Sequence, residues 1–239
     1  MANLRTVKFQ GTIFTPELNI ANPLKIANIV AELIPDISDG TPTILPIPQD
    51  APSDVPRIIF NSSDKKLSVN ISLQRTNLFY EIPPMDADNE IDIDKYAKIS
   101  SVFFVGLKKK MDCRVQRIAL VTDRIEYRED ALEYILNKFC RENQIGNHRP
   151  FHNAKRFEIH SHKKYGWEDY NINSWVRLKF LLVKMKDSGE MKSTIFVQND
   201  INTLSIDENP DEDFNKDKIE KFFQKAPGHI REILSLYFE

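Results

Sequence analysis

The stretch 172-INSWVRLKFLLVKM-185, followed by 186-KDSGEMKS-193 and 194-TIFVQNDINTL-204, decides the fold. Ile172, Val176, Leu178, Phe180 and Leu182 recur at every second position, the period of a strand with one buried face. Asp187-Ser188-Gly189 reads as a hairpin turn into the strand Thr194–Leu204. Strands joined by so few residues cannot be parallel, because a parallel crossover needs a dozen or more. The period therefore points to an antiparallel sheet covered on one side.

Working outward, a strand is expected over Lys155–Lys163 and a helix over Arg128–Arg141, with Leu132, Ile135, Leu136 and Phe139 on one face. Before them Cys113–Tyr127 reads as a long strand. After the hairpin, an acidic loop (Asp207, Glu208, Asp211, Glu212, Asp213) leads to helices on either side of Pro227. The last of these carries Ile230, Ile233, Leu234 and Tyr237.

The first half repeats the order. Residues 5–14 alternate as a strand, and Asn22-Pro23 caps a helix carrying Leu24, Ala27, Ile29, Val30, Leu33 and Ile34 until Pro35 stops it. Residues 35–56 form an extended, proline-rich loop with a short strand at Thr43–Leu45. Strands follow at Arg57–Asn61, Lys66–Leu73 and Asn77–Ile82. A second acidic loop (Asp86, Asp88, Glu90, Asp92) precedes a helix from Asp94 to about Met111. The expected class is α+β: two similar β-α-β-β-β-α halves, 1–111 and 112–239, with mostly antiparallel sheet and helices on one face, as two units or one continuous domain.

The seven glycines lie at least 20 residues apart. A GxGxxG turn, a P-loop, a GxSxG elbow and a kinase glycine loop all need closer glycines, so the familiar nucleotide-binding and α/β-hydrolase motifs are excluded. Two cysteines, Cys113 and Cys140, form no CxxC pair and read as reduced thiols of an intracellular protein. No signal-like start and no apolar run of membrane-spanning length is read, so the expected location is the cytoplasm. No cofactor site is read.

Four of the five histidines, His148, His152, His160 and His162, fall in one segment. On a strand, His160 and His162 share a face with Glu158, a feasible half of a metal site and the basis for a metal-dependent hydrolase as a third reading. The same residues fit a solvated strand face that continues into Lys163 and Lys164. No pair of His-x-Ser/Thr motifs and no HExxH is present, and Glu190-Met191-Lys192 lacks an acidic partner strand.

Cations gather in two groups despite a net charge of −2 from 33 Lys+Arg and 35 Asp+Glu. One holds Lys108, Lys109, Lys110, Arg114, Arg117 and Arg124. The other holds Arg149, Lys155, Arg156, Lys163 and Lys164, with His160 and His162 between them and Phe151, Tyr165 and Trp167 nearby. Segregated charge suits a protein partner, and basic residues beside aromatic rings suit a nucleic acid.

Three features carry a resemblance: Asn22-Pro23-Leu24, the run Arg117-Ile118-Ala119-Leu120 to Asp123-Arg124-Ile125, and a last helix ending in Leu-Tyr-Phe. In these the chain resembles a sporadically distributed family of bacterial proteins without an assigned biochemical activity. That resemblance implies a patchily inherited accessory gene, compatible with phage defence or toxin–antitoxin modules, and no catalytic residue. The leading expectation is a non-enzymatic interaction or regulatory subunit of a bacterial multiprotein system, partnered by another protein of its operon. The alternative is a nucleic-acid-binding protein using its basic strand faces.

Overall fold

The computed structural model describes residues 3–238 except 17, 38–41, 49, 84–89, 147–148, 186–187 and 206. Asp86, Asp88, His148 and Asp187 lie outside the described residues. The described elements run β1 (Arg5–Phe14), α1 (Pro23–Leu33), β2 (Thr43–Ile44), β3 (Ile58–Asn61), β4 (Leu67–Ile71), β5 (Arg75–Glu81) and α2 (Ile93–Met111). Then come β6 (Arg117–Tyr127), α3 (Ala131–Phe139), α4 (Glu142–Ile145), β7 (Glu158–Trp167), β8 (Tyr170–Lys184), β9 (Met191–Thr203) and α5 (Lys216–Phe238).

All nine strands join one antiparallel sheet in the order β2-β3-β4-β5-β1-β6-β9-β8-β7. The two opening strands, β1 and β6, meet at its centre. Outward from them stand β5, β4 and β3 on one side and β9, β8 and β7 on the other. The fold is α+β with a large antiparallel sheet.

Side-chain period sets the two faces. Phe9 pairs with Tyr80 and Thr122, Gly11 with Leu78 and Leu120, and Ile13 with Thr76 and Ile118. This set, continued by Val197, Ile201, Leu178 and Ile172, is buried in the core except for Tyr80, which is partly buried against it. Helix α2 presses closest at Gly11, where an added Cβ would lie 2.6 Å from Ser100 Oγ and 3.2 Å from Phe104 Cε2. Phe104 in turn meets Phe223 of α5 at 5.4 Å between ring centres. Helix α3 places Ala131 and Ile135 among Val176, Leu178, Ile195 and Val197.

Several boundaries differ from the sequence expectation for identifiable reasons. Helix α2 is capped by Asp92, whose side chain accepts from Lys95 N at 3.0 Å, rather than by Asp94. Starting there buries Ile93 and frees Asp94 for a two-pronged ion pair with Arg231. The strand expected from Cys113 begins at Arg117, because Val115 is held by residues 213 and 214: Val115 N donates to Asp213 Oδ1 at 3.0 Å and Phe214 N donates to Val115 O at 2.8 Å. Strand β7 runs to Trp167 instead of stopping at Lys163, since Tyr165 and Trp167 pack on His229 of α5. Pro227 does not separate two helices but sits inside α5. A proline there costs roughly 3 kcal/mol. Burial of Phe222, Phe223 and Ile230, at roughly 1.5–3 kcal/mol each, outweighs it.

Candidate functional site: the polar face of the sheet

The residues between the core-facing ones form the other face, and the strand register orders them in rows. One row reads His162, Trp175, Asp200, Val121, Gln10, Phe79, Ser68 from β7 to β4. On one side of it lies His160, Arg177, Gln198, Asp123, Lys8, Glu81, and beyond that Glu158, Lys179, Phe196, Ile125, Arg5. On its other side lies Lys164, Asn173, Asn202, Ala119, Thr12, Asn77, Asn70. Most of these side chains are half-buried or exposed.

Hydrogen bonds run across the rows. Arg177 Nη1 donates to Gln198 Oε1 at 2.8 Å, and Gln198 Nε2 donates to Asp123 Oδ1 at 2.8 Å. Asn173 Nδ2 donates to Asn202 Oδ1 at 3.1 Å, and Thr12 Oγ1 to Asn77 Oδ1 at 2.9 Å. Partial burial pushes the Asp123 carboxyl above the usual carboxylate range, with the Gln198 hydrogen bond opposing it. Burial likewise lowers Arg117 below the ordinary guanidinium value.

Aromatic rings and cations alternate over this face. Arg177 lies 4.9 Å from the Trp175 ring centre, Lys179 4.8 Å from Phe196, Lys8 5.3 Å from Phe79, and Arg117 4.8 Å from Phe14. Arg5 and Lys192 stand 5.2 and 5.8 Å from Tyr127. His162 stacks on Trp175 with ring centres 4.1 Å apart and planes 11° apart. On the strands of this face eight cations (Arg5, Lys8, Arg75, Arg117, Lys164, Arg177, Lys179, Lys192) stand with four carboxylates (Glu81, Asp123, Glu158, Asp200), and Asp54 and Glu208 from flanking loops pair with Arg75 and Lys164. This face is therefore cationic on a chain whose net charge is −2.

The two basic groups read from the sequence do not survive as two patches. Lys108 binds Asp213 at 2.6 Å and the Cys113 carbonyl at 3.1 Å, and Lys110 binds Glu32 at 2.8 Å. Lys109 is exposed beside them. Arg114 donates to the carbonyls of Pro210 and Glu212, fastening the loop before α5. Arg117 reaches the polar face, where it bonds Asn202, whereas Arg124 points to the opposite side and is 3% exposed.

In the second group Arg149, Lys155 and Arg156 are exposed on the segment entering β7. His160, His162 and Lys164 lie on the polar face; His160 pairs with Glu158 at 3.4 Å, His162 with Asn173, and Lys164 with Glu208. Lys163 turns to the other side, over Tyr165. Tyr165 and Trp167 are committed to α5, and Phe151 meets Phe157 edge-on, so these rings belong to packing. Among the described residues no three His, Cys, Asp or Glu side chains gather closely enough to hold a metal ion.

Sequence reading missed Trp175, Arg177 and Lys179 on β8, Phe196 and Gln198 on β9, and Lys8 and Gln10 on β1. Their signal was the complementary half of the same alternation that identified the core. Comparison with protein-family models and with curated proteins found no match to the chain. Among the described residues no helix is long and apolar enough to cross a membrane.

Proposed function

We propose that this protein binds single-stranded nucleic acid on the polar sheet face, as a non-enzymatic module. The carrying observation is the array of rings with cations beside them, Trp175–Arg177, Phe196–Lys179, Phe79–Lys8, Phe14–Arg117 and Tyr127 with Arg5 and Lys192. A base stacks on such a ring by taking the place of the cation, which then turns to the adjacent phosphate. The Asn and Gln side chains between the rings offer donors and acceptors to base edges.

The scaffold, in this reading, is an internal duplication of two β-α-β-β-β-α halves with all long helices on one face and the other left open. Its support is the strand order, mirrored about β1 and β6 apart from the extra edge strand β2, and the packing of α2, α3 and α5 on core-facing residues. The duplicated halves double the length of the binding face by joining through their first strands.

The protein-partner reading rests on a different observation. Strand β7, ten residues long, stands at the edge of the sheet, and among the described residues no strand pairs with its outer side. An edge of that length accepts a partner strand, yet His160, His162, Lys163 and Lys164 along it are the charges that discourage strand addition. A place in a bacterial defence or toxin–antitoxin system follows from the family resemblance alone.

The test is fluorescence anisotropy with a labelled 20-nucleotide oligo(dT), the same length of unstructured RNA and a blunt duplex, titrated with salt. Single strands are expected to bind and the duplex to bind more weakly. Trp175→Ala is expected to weaken binding by roughly 5- to 150-fold, the range for one stacked base. Arg177→Ala with Lys179→Ala should flatten the salt dependence by about 1.4 in log–log slope. Lys109→Glu, outside this face, should leave both nearly unchanged. Absence of binding at low salt, or loss on Lys109→Glu with the sheet variants unaffected, refutes the reading. A stoichiometric protein retained through nuclease treatment would transfer the face, or the β7 edge, to a protein partner.

A further inference from the structure

Around Trp175 the hydrogen-bond directions of the polar face are fixed. Trp175 stands between His162 of β7 and Asp200 of β9, its partners across the two ladders. Such directly opposed side chains lie about 4.5–5.5 Å apart at Cβ. His162 takes one face of the indole, with ring centres 4.1 Å apart and planes 11° apart. The Arg177 guanidinium also lies over the ring, its Cζ 4.9 Å from the centre, and with the first face taken it covers the second. Arg177 Nη1 donates to Gln198 Oε1 at 2.8 Å and stands 3.7 Å from Asp200 Oδ2. One guanidinium thus fills a slot walled by Trp175, Asp200 and Gln198.

The walls of that slot are held from outside it. Asn202 Oδ1 accepts from Arg117 Nη2 and from Asn173 Nδ2, the latter at 3.1 Å. Its Nδ2 is therefore turned to Asp200 Oδ1, to which it donates at 2.7 Å. Asn173 Oδ1 is left for His162 Nε2, which carries the hydrogen of that contact. The chain His162–Asn173–Asn202–Asp200 fixes both the imidazole behind Trp175 and the carboxylate beside it. The movable member is Arg177, a long and partly exposed side chain.

On the nucleic-acid reading of this face, a base reaches Trp175 by displacing that guanidinium. It then stands where Arg177 stood and inherits its acceptors, the Asp200 carboxylate and Gln198 Oε1. Asp200 Oδ1 keeps Asn202 and still has a lone pair to offer. Acceptors left empty there cost free energy, so the base is selected by the donors it brings. Guanine carries N1–H beside the N2 amino group, two adjacent donors in the same N–C–N arrangement as a guanidinium, and that edge fits a carboxylate in two-pronged fashion. Adenine and cytosine set an amino group next to an unprotonated ring nitrogen, and thymine and uracil flank one N–H with carbonyl oxygens. Each of these turns a lone pair toward Asp200. We infer that the slot between Trp175 and Asp200 is a guanine subsite, with Asp200 reading the base and Arg177 the group that the base replaces. The protein therefore prefers single strands that contain guanine.

The test is fluorescence anisotropy of the full chain with labelled 12-nucleotide oligo(dT) and the same strand carrying one central guanine, adenine, cytosine or hypoxanthine. A two-pronged base contact discriminates by roughly 5- to 150-fold, and the guanine strand is expected to bind tighter than oligo(dT) by a factor in that range. Hypoxanthine keeps N1–H but lacks the N2 amino group, so it should lose most of the gain. In Asp200→Asn the amide oxygen faces Asn202 Nδ2, which turns the amide N–H groups toward the base, and the guanine preference should vanish. The preference is a ratio taken within one protein, so the amount of folded variant does not enter it. Equal affinity for all five strands overturns the guanine subsite and leaves single-strand binding standing. A guanine preference that hypoxanthine reproduces, or that Asp200→Asn retains, overturns it in the same way. No binding of any strand at low salt refutes the nucleic-acid reading itself, and the subsite with it.

Discussion

Replacing Gly11 by alanine tests the contact on which the whole arrangement turns. Gly11 lies in β1 at the centre of the sheet, and an alanine methyl there would meet Ser100 Oγ at 2.6 Å, Ser100 Cβ at 3.1 Å and Phe104 Cε2 at 3.2 Å. Ser100 and Phe104 are both fully buried, so neither can swing into solvent to relieve the crowding. Overpacking of this kind costs about 1–3 kcal/mol. In a domain of this size a 2 kcal/mol loss lowers Tm by roughly 4–8 °C.

The direction of relief is also fixed. The Ser100 hydroxyl is buried without a hydrogen-bond partner, so Ser100→Ala alone should be neutral or stabilising by up to about 1 kcal/mol. In the double variant the nearest clash disappears and only the Cβ and ring contacts remain. The cost of Gly11→Ala should therefore fall by about half. Gly106→Ala is the contrast: its new methyl would strike the end of the half-buried Leu33 side chain, which can turn away, and the loss should be under about 1 kcal/mol. Urea denaturation of the four proteins and the Gly106 variant measures all of this. A Gly11→Ala protein as stable as the parent, or one whose loss Ser100→Ala does not reduce, would show that α2 does not cross β1 at this point.

Three further outcomes are expected. Asp123 is raised by burial, so its contribution to stability is fully present below the unfolded carboxylate value near 3.9 and is lost as pH rises through the higher folded value. Asp123→Asn, which keeps an oxygen for Gln198 Nε2, should therefore raise the urea midpoint at pH 7, with the gain shrinking toward pH 4. Phe104→Ala should cost about 3–5 kcal/mol by calorimetry or urea denaturation, since the ring is fully buried and joins α2 to Phe223 of α5. Both cysteines are free; Cys113 is buried with its thiol pushed up by desolvation, and Cys140 is half-buried. Labelling with a disulfide reagent should thus proceed in two phases, Cys140 first and Cys113 at the rate of opening.

The elements were legible in the sequence because each is written in a local period. The alternation in β8 and β9, the Asn22-Pro23 cap of α1 and the apolar stripe of α3 all fell where they were expected. The expected order β-α-β-β-β-α was met only approximately, since the first half carries four strands between α1 and α2 and the second inserts α4 after α3. What failed locally was each place where a distant residue intervened: Tyr165 and Trp167 extend β7 because α5 receives them, and Pro227 stays helical because its neighbours are buried.

The candidate site was legible only in part. His160, His162 and Glu158 were read on one strand face, and they stand there. Grouping charges by nearness in the chain then misled, since Lys108 and Lys110 are spent on Asp213 and Glu32, Arg124 is buried, and Lys163 turns away from its neighbour. Alternation alone determined which residues of each strand share a face. It could not determine which strands stand side by side. Only the strand order, which brings β1 against β6 and β9 against β8, carries one polar row from His162 through Trp175 and Asp200 to Gln10 and Phe79. The period is a property of the backbone and travels with the sequence; the neighbours across a sheet are chosen by the packing of distant segments.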